Sequence, residues 1–504
     1  MARRASTIFA PKASFKTPDS VNTGGYAAWT RPIEERVLQV LLTNTLSNTF
    51  YADKHELLKD ARNVYAEILK TNPAFFAKAL AFARNNGFMR TQPIFGLVLL
   101  SSADRYLFKK VFDSVILTPN DLFDFMTILS SERKGQGGRA IKTTVAKWLD
   151  KNFNAESKNA EYWTIKYGSG SKEGYSLKDV IKTVHPKGVN PNLAWYLLGK
   201  EGSDAEAQFT KIAAFEKLKK AKTDVDKVEA IKTGKLPHEV ASTFAGTSAT
   251  VWQAILESMP TFALLRNLNT LDRMSLLDKN KKLINSILTN PENIKKAKIL
   301  PFRFYDAYNA VNSPWVKDTL RMSIENSIAN IPEIKGDSAI LLDTSGSMFS
   351  FITTASLFAL ACLKRANGGT FYTFDTIPYK APYSLVDSIL TQAERIRAAG
   401  GTDIASPVQQ LTATRNKVDN IIIITDEQQN SGSPLWSAVM EYRNKVNRNV
   451  NVFVIDVSPY KASAVPPDDK VYLIYGWGDQ VLNYISNVTN GLDTQVKAVD
   501  KMIL

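Results

Sequence analysis

The chain has 504 residues, of which 44% are hydrophobic, so its length predicts two or three globular domains. A single cysteine, Cys362, excludes an intrachain disulfide framework, and three scattered histidines argue against a zinc site. We find no apolar run of the roughly 20 residues that a membrane helix needs and no secretory signal, so the cytoplasm is the expected compartment. The formal net charge of +14 favours an anionic partner, nucleic acid first and a membrane surface second.

Residues from about 30 to 330 show the apolar spacing of successive amphipathic helices. Three examples are "RPIEERVLQVLLTN", "HELLKDARNVYAEILKTN" and "PAFFAKALAFARNNG", in which apolar residues recur every three or four positions. The breaks between such stretches are Asn-Pro or Asn-Gly pairs, which are typical of short turns. The pattern predicts a helical-repeat domain, an α-solenoid, over residues 1–335.

From about residue 336 the pattern changes to strands that alternate with helices. Strands are predicted at "SAILLDTS", "GTFYTFDT", "NIIIITDE", "VNVFVIDV" and "KVYLIYGWG". Helices are predicted at "FITTASLFALACLKRAN", "LVDSILTQAERIRAAGG", "LWSAVMEYRNKVNRN" and "QVLNYISNVT". This alternation predicts a doubly wound α/β domain over residues 336–504, with a parallel sheet that is covered on both faces.

Three polar clusters follow strands or helices of this predicted domain. Asp343, Ser345 and Ser347 follow the first strand, Thr402 lies in "GGTD", and Asp426 closes "IIIITD". Ligands of open parallel sheets bind beyond the carboxyl ends of the strands, so we expect these side chains to converge. All of them offer oxygen atoms, which are the ligands that hard cations such as Mg²⁺ prefer.

Two other interpretations of the first cluster fit less well. A nucleophilic serine needs Gly-x-Ser-x-Gly, which "DTSGSM" lacks, and the last histidine of the chain is His238. A plain turn does not explain why three separate polar clusters occupy equivalent positions. A cation site is the better prediction.

The five positions together resemble the metal-ion-dependent adhesion site of von Willebrand factor A (vWA) domains. The resemblance implies that Ser345, Ser347 and Thr402 contact the metal directly, whereas Asp343 and Asp426 hold it mostly through water. It also implies one open coordination position for an oxygen of a partner. With two hydroxyls and no nearby base, such a site is suited to binding and not to catalysis.

Basic residues are concentrated in two segments of the helical half, Ser130–Phe153 and Lys166–Lys187. In the first, "ERKGQGGRAIK" places cations beside glycines, which allow close approach to an anion. In the second, Ser176 and Asp179 have the spacing of a capping box, and Lys178, Lys182 and His185 form one polar stripe. A solvated surface is the plain alternative for such a stripe.

These segments resemble the TROVE domain of the Ro autoantigen family. The similar stretches are "ARNNGFMRTQP", "GGRAIKTTVAKW", "GYSLKDVIKTVHPK", "VWQAILESMPTFALLRNL" and "LPFRFYDAY". The resemblance implies a ring of HEAT-like helical hairpins that the vWA domain closes within a single chain, so we expect a monomer. It further implies that Y-like noncoding RNA binds the basic outer surface and that single-stranded 3′ ends of misfolded RNA enter the central hole.

The resemblance implies a set of RNA contacts, with an exoribonuclease as a further partner and no catalytic activity. The RNA-binding residues would be Arg133, Lys134, Arg139, Lys142, Lys166, Lys172, Lys178, Lys182, His185 and Lys187. The main alternative is a metal-dependent adhesion or scaffolding protein without an RNA role. A chelatase-type ATPase subunit would need an ATPase elsewhere, because the chain has no P-loop motif.

Overall fold

The computed structural model describes twelve stretches of the chain. These are residues 17–22, 25–43, 54–87, 89–133, 137–168, 174–366, 368–457, 462–466, 468, 470–475, 480–489 and 495–504. They form two compact units. The sheet unit comprises Met1–Met89, Leu300–Phe302 and Ile328–Ile503, and the helical unit comprises Arg90–Ile299 and Arg303–Ser327 with Leu504.

The described residues in the N-terminal part of the sheet unit form two short strands and three helices. They are β1 (Ser20–Val21), β2 (Ala27–Thr30), α1 (Ile33–Thr43), α2 (Lys54–Thr71) and α3 (Pro73–Asn85). Helix α3 begins where Asn72 accepts a hydrogen bond from the backbone of Phe75, with Pro73 in the first turn. The Asn-Pro break that the sequence analysis took as an interhelical turn is therefore a helix cap.

The helical unit is a succession of short helices, as the apolar spacing predicts. They are α4 (Thr91–Ala103), α5 (Arg105–Val115), α6 (Pro119–Arg133), α7 (Arg139–Asn152), α8 (Ala160–Tyr167), α9 (Leu177–Val184), α10 (Pro191–Leu198), α11 (Ala205–Gln208), α12 (Thr210–Lys220), α13 (Asp224–Gly234), α14 (His238–Ala245), α15 (Ala249–Leu256), α16 (Thr261–Arg273), α17 (Lys281–Thr289), α18 (Pro291–Ala297), α19 (Pro301–Ala310, whose first two residues belong to the sheet unit) and α20 (Pro314–Ser327). Helix α7 packs against α5 and α9, and Trp148 of α7 stacks on Trp163 of α8 with ring centroids 5.9 Å apart.

The C-terminal part of the sheet unit has the predicted alternation of strands and helices. Its elements are β3 (Ser338–Asp343), α21 (Ile352–Arg365), β4 (Thr370–Phe374), β5 (Pro378–Lys380), α22 (Ile389–Ala393), α23 (Ala405–Ala413), β6 (Asn420–Thr425), α24 (Leu435–Lys445), β7 (Asn451–Asp456), β8 (Ala462–Ser463), β9 (Val471–Tyr475), α25 (Gln480–Thr489) and α26 (Gln495–Asp500). Within the described residues, six strands form one sheet in the order β5-β4-β3-β6-β7-β9. All neighbours are parallel except the edge pair β4–β5.

The central strands are buried on both faces. Every residue of β3 and β6 is buried, and Leu341 of β3 lies opposite Tyr372 of β4 and Ile423 of β6. Aliphatic strands of this kind need helices on both sides, because neither face can contact water. The predicted fold class, a helical array followed by a vWA-like α/β domain, is confirmed in this architecture.

Two elements of the α/β region differ from the sequence prediction. The predicted helix over residues 385–401 is reduced to α22, and the edge strand β5 was not predicted. Beyond α22 the backbone N–H of Ala399 donates to the carbonyl of Thr344, and Gly400 has a φ of +83°. These long-range contacts outweigh helix propensity, and they bring the "GGTD" loop to the end of β3.

The compact units also do not follow the predicted boundary at residue 336. Strand β2 pairs with β8, so that Trp29 lies opposite Ser463, and α3 packs against α26. Such pairings join segments more than 400 residues apart, and no local pattern shows them. In the part of the chain that the structure describes, no helix is both long and apolar enough to cross a membrane.

Candidate metal centre and nucleic-acid interface

The carboxylate of Asp343 is fixed at the end of β3 by hydrogen bonds to both of its oxygens. The backbone N–H of Ser345 donates to Oδ1 over 2.8 Å, and the hydroxyl of Thr425 donates to Oδ2 over 2.6 Å. Asp343 is completely buried. The parallel pairing of β3 with β6 produces this contact, since it places the ends of the two strands side by side.

The other predicted metal ligands lie around this carboxylate. The hydroxyl oxygens of Ser345 and Ser347 are 3.2 Å apart, and the side chain of Ser347 hydrogen-bonds to the carboxylate of Asp426. The third loop joins them where the backbone N–H of Gly346 donates to the carbonyl of Gly400 over 3.1 Å. The structure therefore brings the three predicted loops together at one edge of the sheet.

Thr402 is held in this third loop by a residue that the sequence analysis did not identify. The backbone N–H of Thr402 donates to Oδ1 of Asn430 over 2.8 Å, and its carbonyl accepts from the backbone of Asn430 and Ser431. Thr402 is 2% exposed. An asparagine in a polar loop carries no sequence signal for such a role.

Asp343 and Asp426 are both buried, and the charges of the two carboxylates repel each other. Burial raises the pKa of Asp343 to about 7, with repulsion from Asp426 adding to the effect, although hydrogen bonds from Ser345 and Thr425 oppose it. Burial likewise raises the pKa of Asp426. Two carboxylates and three hydroxyl side chains are an all-oxygen donor set that fits a hard divalent cation, which would offset this repulsion.

We call Asp343, Ser345, Ser347, Thr402 and Asp426 the cradle. A buried ion network, which the sequence analysis did not predict, adjoins it at Glu427. Arg31 lies 2.5 Å from Oε1 of Glu427 and 3.4 Å from Oδ2 of Asp456, with all three side chains 1% exposed. The second oxygen of Glu427 accepts from the hydroxyl of Ser463 over 2.6 Å and the backbone of Ala464 over 2.7 Å. Because Glu427 directly follows Asp426, the N-terminal segment helps to fix the loop that carries a predicted ligand.

The predicted basic stripe on α9 is present. Ser176 and Asp179 form the predicted capping box, and Leu177, Val180 and Ile181 are buried. Lys182, His185 and Lys187 are exposed and Lys178 is half-buried. Within the described residues, none of these four basic side chains has a hydrogen-bond or ion-pair partner, so each is available to a ligand.

The N-terminal turn of α7, a helix that packs against α9, carries two more cations. Arg139 is exposed and Lys142 half-buried, and neither side chain has a partner among the residues that the structure describes. The two helices are also linked where the backbone N–H of Gly188 donates to Oδ1 of Asp150 over 2.6 Å. The structure therefore brings two predicted basic segments, far apart in sequence, onto neighbouring helices. We call Arg139, Lys142, Lys178, Lys182, His185 and Lys187 the basic face.

The side chain of Lys166 is already bonded to other residues of the protein. Its ammonium lies 3.0 Å from Oε1 of Glu239 and donates to the hydroxyl of Tyr162 over 2.7 Å. These bonds raise the pKa of Lys166 above its usual value, although burial alone would lower it. Lys166 therefore does not belong to the basic face. Lys134, Lys172 and the side chain of Arg133 lie outside the described residues.

Comparison with known proteins finds a matching family model in each of the two units. The TROVE domain model matches residues 237–333, and the Ro60 vWA domain model matches residues 338–489. This chain carries the two domains of the Ro family. The crystal structure of the Ro (Rsr) protein of Deinococcus radiodurans has a similar fold, with a TM-score of 0.66 and 20% sequence identity over 91% of this chain and 100% of that one.

The Ro assignment confirms the family that the sequence analysis named. TROVE is an RNA-binding domain, and most of the residues that match it belong to the helical unit. The matched TROVE residues begin at 237, whereas the basic face lies between residues 139 and 187. Any role of the basic face in RNA binding must therefore be argued from the geometry and charge of that face.

Proposed function

We propose that this protein binds small structured noncoding RNA of the Y RNA kind through the basic face. The observation that carries the proposal is the set of basic side chains on α7, on α9 and just after α9 that have no hydrogen-bond or ion-pair partner among the described residues. Lys and Arg neutralise phosphates and release counterions, which gives affinity with little sequence specificity. An RNA duplex is recognised mainly by shape and by backbone contacts, and basic side chains on two packed helices suit that mode.

We further propose that single-stranded 3′ ends of misfolded RNA enter a central hole of the helical array. The function would be RNA quality control or processing, with an exoribonuclease as the partner that degrades the RNA. The protein itself would bind RNA and not cleave it. Single strands are bound by charge and by stacking on aromatic side chains, so a duplex and a single strand are expected to use different surfaces.

A binding series on one structured RNA, with and without a single-stranded 3′ overhang, tests the second proposal. We expect the RNA with the overhang to bind more tightly, and a 5′ overhang of the same length to give no such gain. Filter binding at constant ionic strength measures both affinities. Equal affinity for the three RNAs would contradict entry of a 3′ end into the hole. It would not contradict RNA binding by the basic face.

We also propose that the cradle at the end of β3 holds Mg²⁺. Ser345, Ser347 and Thr402 would be direct ligands, and Asp343 and Asp426 would act mostly through water. The ion would offer one position to an oxygen of a partner. The support for this is the donor chemistry and the raised pKa values of the two buried carboxylates.

Replacing Asp343 with asparagine is expected to abolish Mg²⁺ binding and leave RNA affinity within about twofold. The amide has nearly the shape of the carboxylate but no charge, so it relieves repulsion from Asp426 and keeps the fold. Calorimetric titration with Mg²⁺ and filter binding of RNA are the two measurements. The control is Glu441→Gln, a carboxylate on the exposed side of α24.

Two results would count against this division of roles. Unchanged Mg²⁺ affinity in Asp343→Asn would contradict the proposal that the cradle binds Mg²⁺. A large loss of RNA binding in a variant with unchanged circular dichroism would show that the cradle and the RNA surface do not act separately.

A further inference from the structure

A cavity of about 650 Å³ lies in the sheet unit between the β4–β5 hairpin and helices α21 and α22. Its floor is formed by Leu360 of α21 with Phe371 and Thr373 of β4, and the two apolar residues are almost fully buried. Small-molecule sites in proteins have this size and this combination of an apolar floor with a few polar groups. Neither the metal cradle nor the basic face accounts for it.

Aromatic rings form one wall of the cavity. The hydroxyl of Tyr383 donates to the carbonyl of Gly369 over 2.6 Å and accepts from its backbone N–H over 2.8 Å. The Tyr383 ring meets Phe371 edge to face, with centroids 6.4 Å apart, so its position is fixed. Tyr379 is 49% exposed at the rim, where its ring is available for stacking.

Charged side chains surround the opening. Lys380, Arg395 and Asp387 line the cavity, and none of these side chains has a hydrogen-bond or ion-pair partner within the described ranges. Arg397 also lines it and donates to the carbonyl of Ile396 over 3.0 Å. A guanidinium and an ammonium beside an aromatic wall are suited to a phosphate attached to a planar ring.

We propose that this cavity binds a small organic anion that consists of a phosphate and one planar ring, of the size of a ribonucleoside monophosphate. Arg395 and Lys380 bind the phosphate, the ring stacks on Tyr379, and Asp387 accepts a hydrogen bond from a sugar hydroxyl. The proposal does not depend on RNA binding by the basic face, since the cavity and that face belong to different compact units.

The cavity borders the metal cradle without including its carboxylates. Thr344 and Ala399 line one end, and the backbone N–H of Ala399 donates to the carbonyl of Thr344 over 2.8 Å. Asp343 and Asp426 do not line it. A phosphate could also bind to a metal ion in the cradle, so the two sites must be separated by experiment.

Calorimetric titration of the full chain with each of the four ribonucleoside monophosphates, in the presence of a chelator, tests the proposal. The chelator removes metal ions from solution, so a phosphate cannot bind through a metal ion in the cradle. The matched ligands are the nucleoside, which lacks the phosphate, and ribose 5-phosphate, which lacks the ring. The variants are Arg395→Gln and Tyr379→Ala, with Arg415→Gln as an exposed arginine elsewhere in the same unit.

We expect saturable binding of at least one monophosphate and at least tenfold weaker binding of both partial ligands. Arg395→Gln should weaken the affinity at least tenfold, Tyr379→Ala should weaken it severalfold, and Arg415→Gln should leave it unchanged. Absence of saturable binding up to millimolar concentrations would overturn the proposal. So would binding that neither cavity variant alters, because the ligand would then occupy another site.

Discussion

Replacing Arg31 with methionine is expected to destabilise the sheet unit by about 3–5 kcal/mol, the usual loss when one partner of a buried ion pair is removed. Methionine fills similar space but leaves Glu427 and Asp456 as buried carboxylates without their arginine. Water cannot solvate them, because the side chains are 1% exposed. Chemical denaturation, followed by tryptophan fluorescence, measures the change.

The matched control is Arg36→Met, which removes the ion pair between Arg36 and Glu67. That pair has a distance of 3.0 Å, but its side chains are 22% and 50% exposed. A solvent-exposed pair contributes about 0–1 kcal/mol, so the control should unfold near the wild-type midpoint. If both variants lose the same stability, the network behind the cradle does not anchor the N-terminal segment.

Replacing Lys178, Lys182 and Lys187 together with alanine is expected to lower RNA affinity by about 10–100-fold at physiological salt. Each lysine that contacts a phosphate contributes about one to the slope of log affinity against log salt, so the slope should fall by about three. The exposed positions of Lys182 and Lys187 mean that folding is little affected. The loss should be similar for RNAs of different sequence, because phosphate contacts do not distinguish bases.

The matched control changes three lysines of the other compact unit, Lys335, Lys417 and Lys445, and so alters the net charge by the same amount. If attraction depends only on total charge, both triple variants lose affinity equally. A local binding surface predicts that only the first variant does. Filter binding over a range of salt concentrations distinguishes the two cases.

The sequence predicted those features whose causes are local or topological. The capping box of Ser176 and Asp179 depends on residues three apart, and it is present as predicted. The convergence of Asp343 and Asp426 follows from parallel strands, which bring their carboxyl ends to one edge. Periodicity and alternation were therefore enough to predict the fold class and the position of the cradle.

Features that depend on distant partners were not predictable from one sequence. Arg31 and Glu427 are 396 residues apart, and no pattern near either indicates that they meet in the interior. The resemblance to the TROVE domain implied that Lys166 contacts RNA. In the structure the Lys166 side chain is bonded to Glu239, which lies 73 residues away on α14. Charge patterns show where cations are, but only the tertiary structure shows which of them are already paired.

The most direct test of RNA binding by the basic face is to recover the protein from its source cells and sequence the RNA bound to it. The wild-type chain and the Lys178, Lys182 and Lys187 triple variant should be compared at equal expression. We predict that the wild type carries small structured noncoding RNA and that the variant carries far less. Recovery of the wild type without RNA, or with the same amount of the same RNA as the variant, would contradict RNA binding by the basic face.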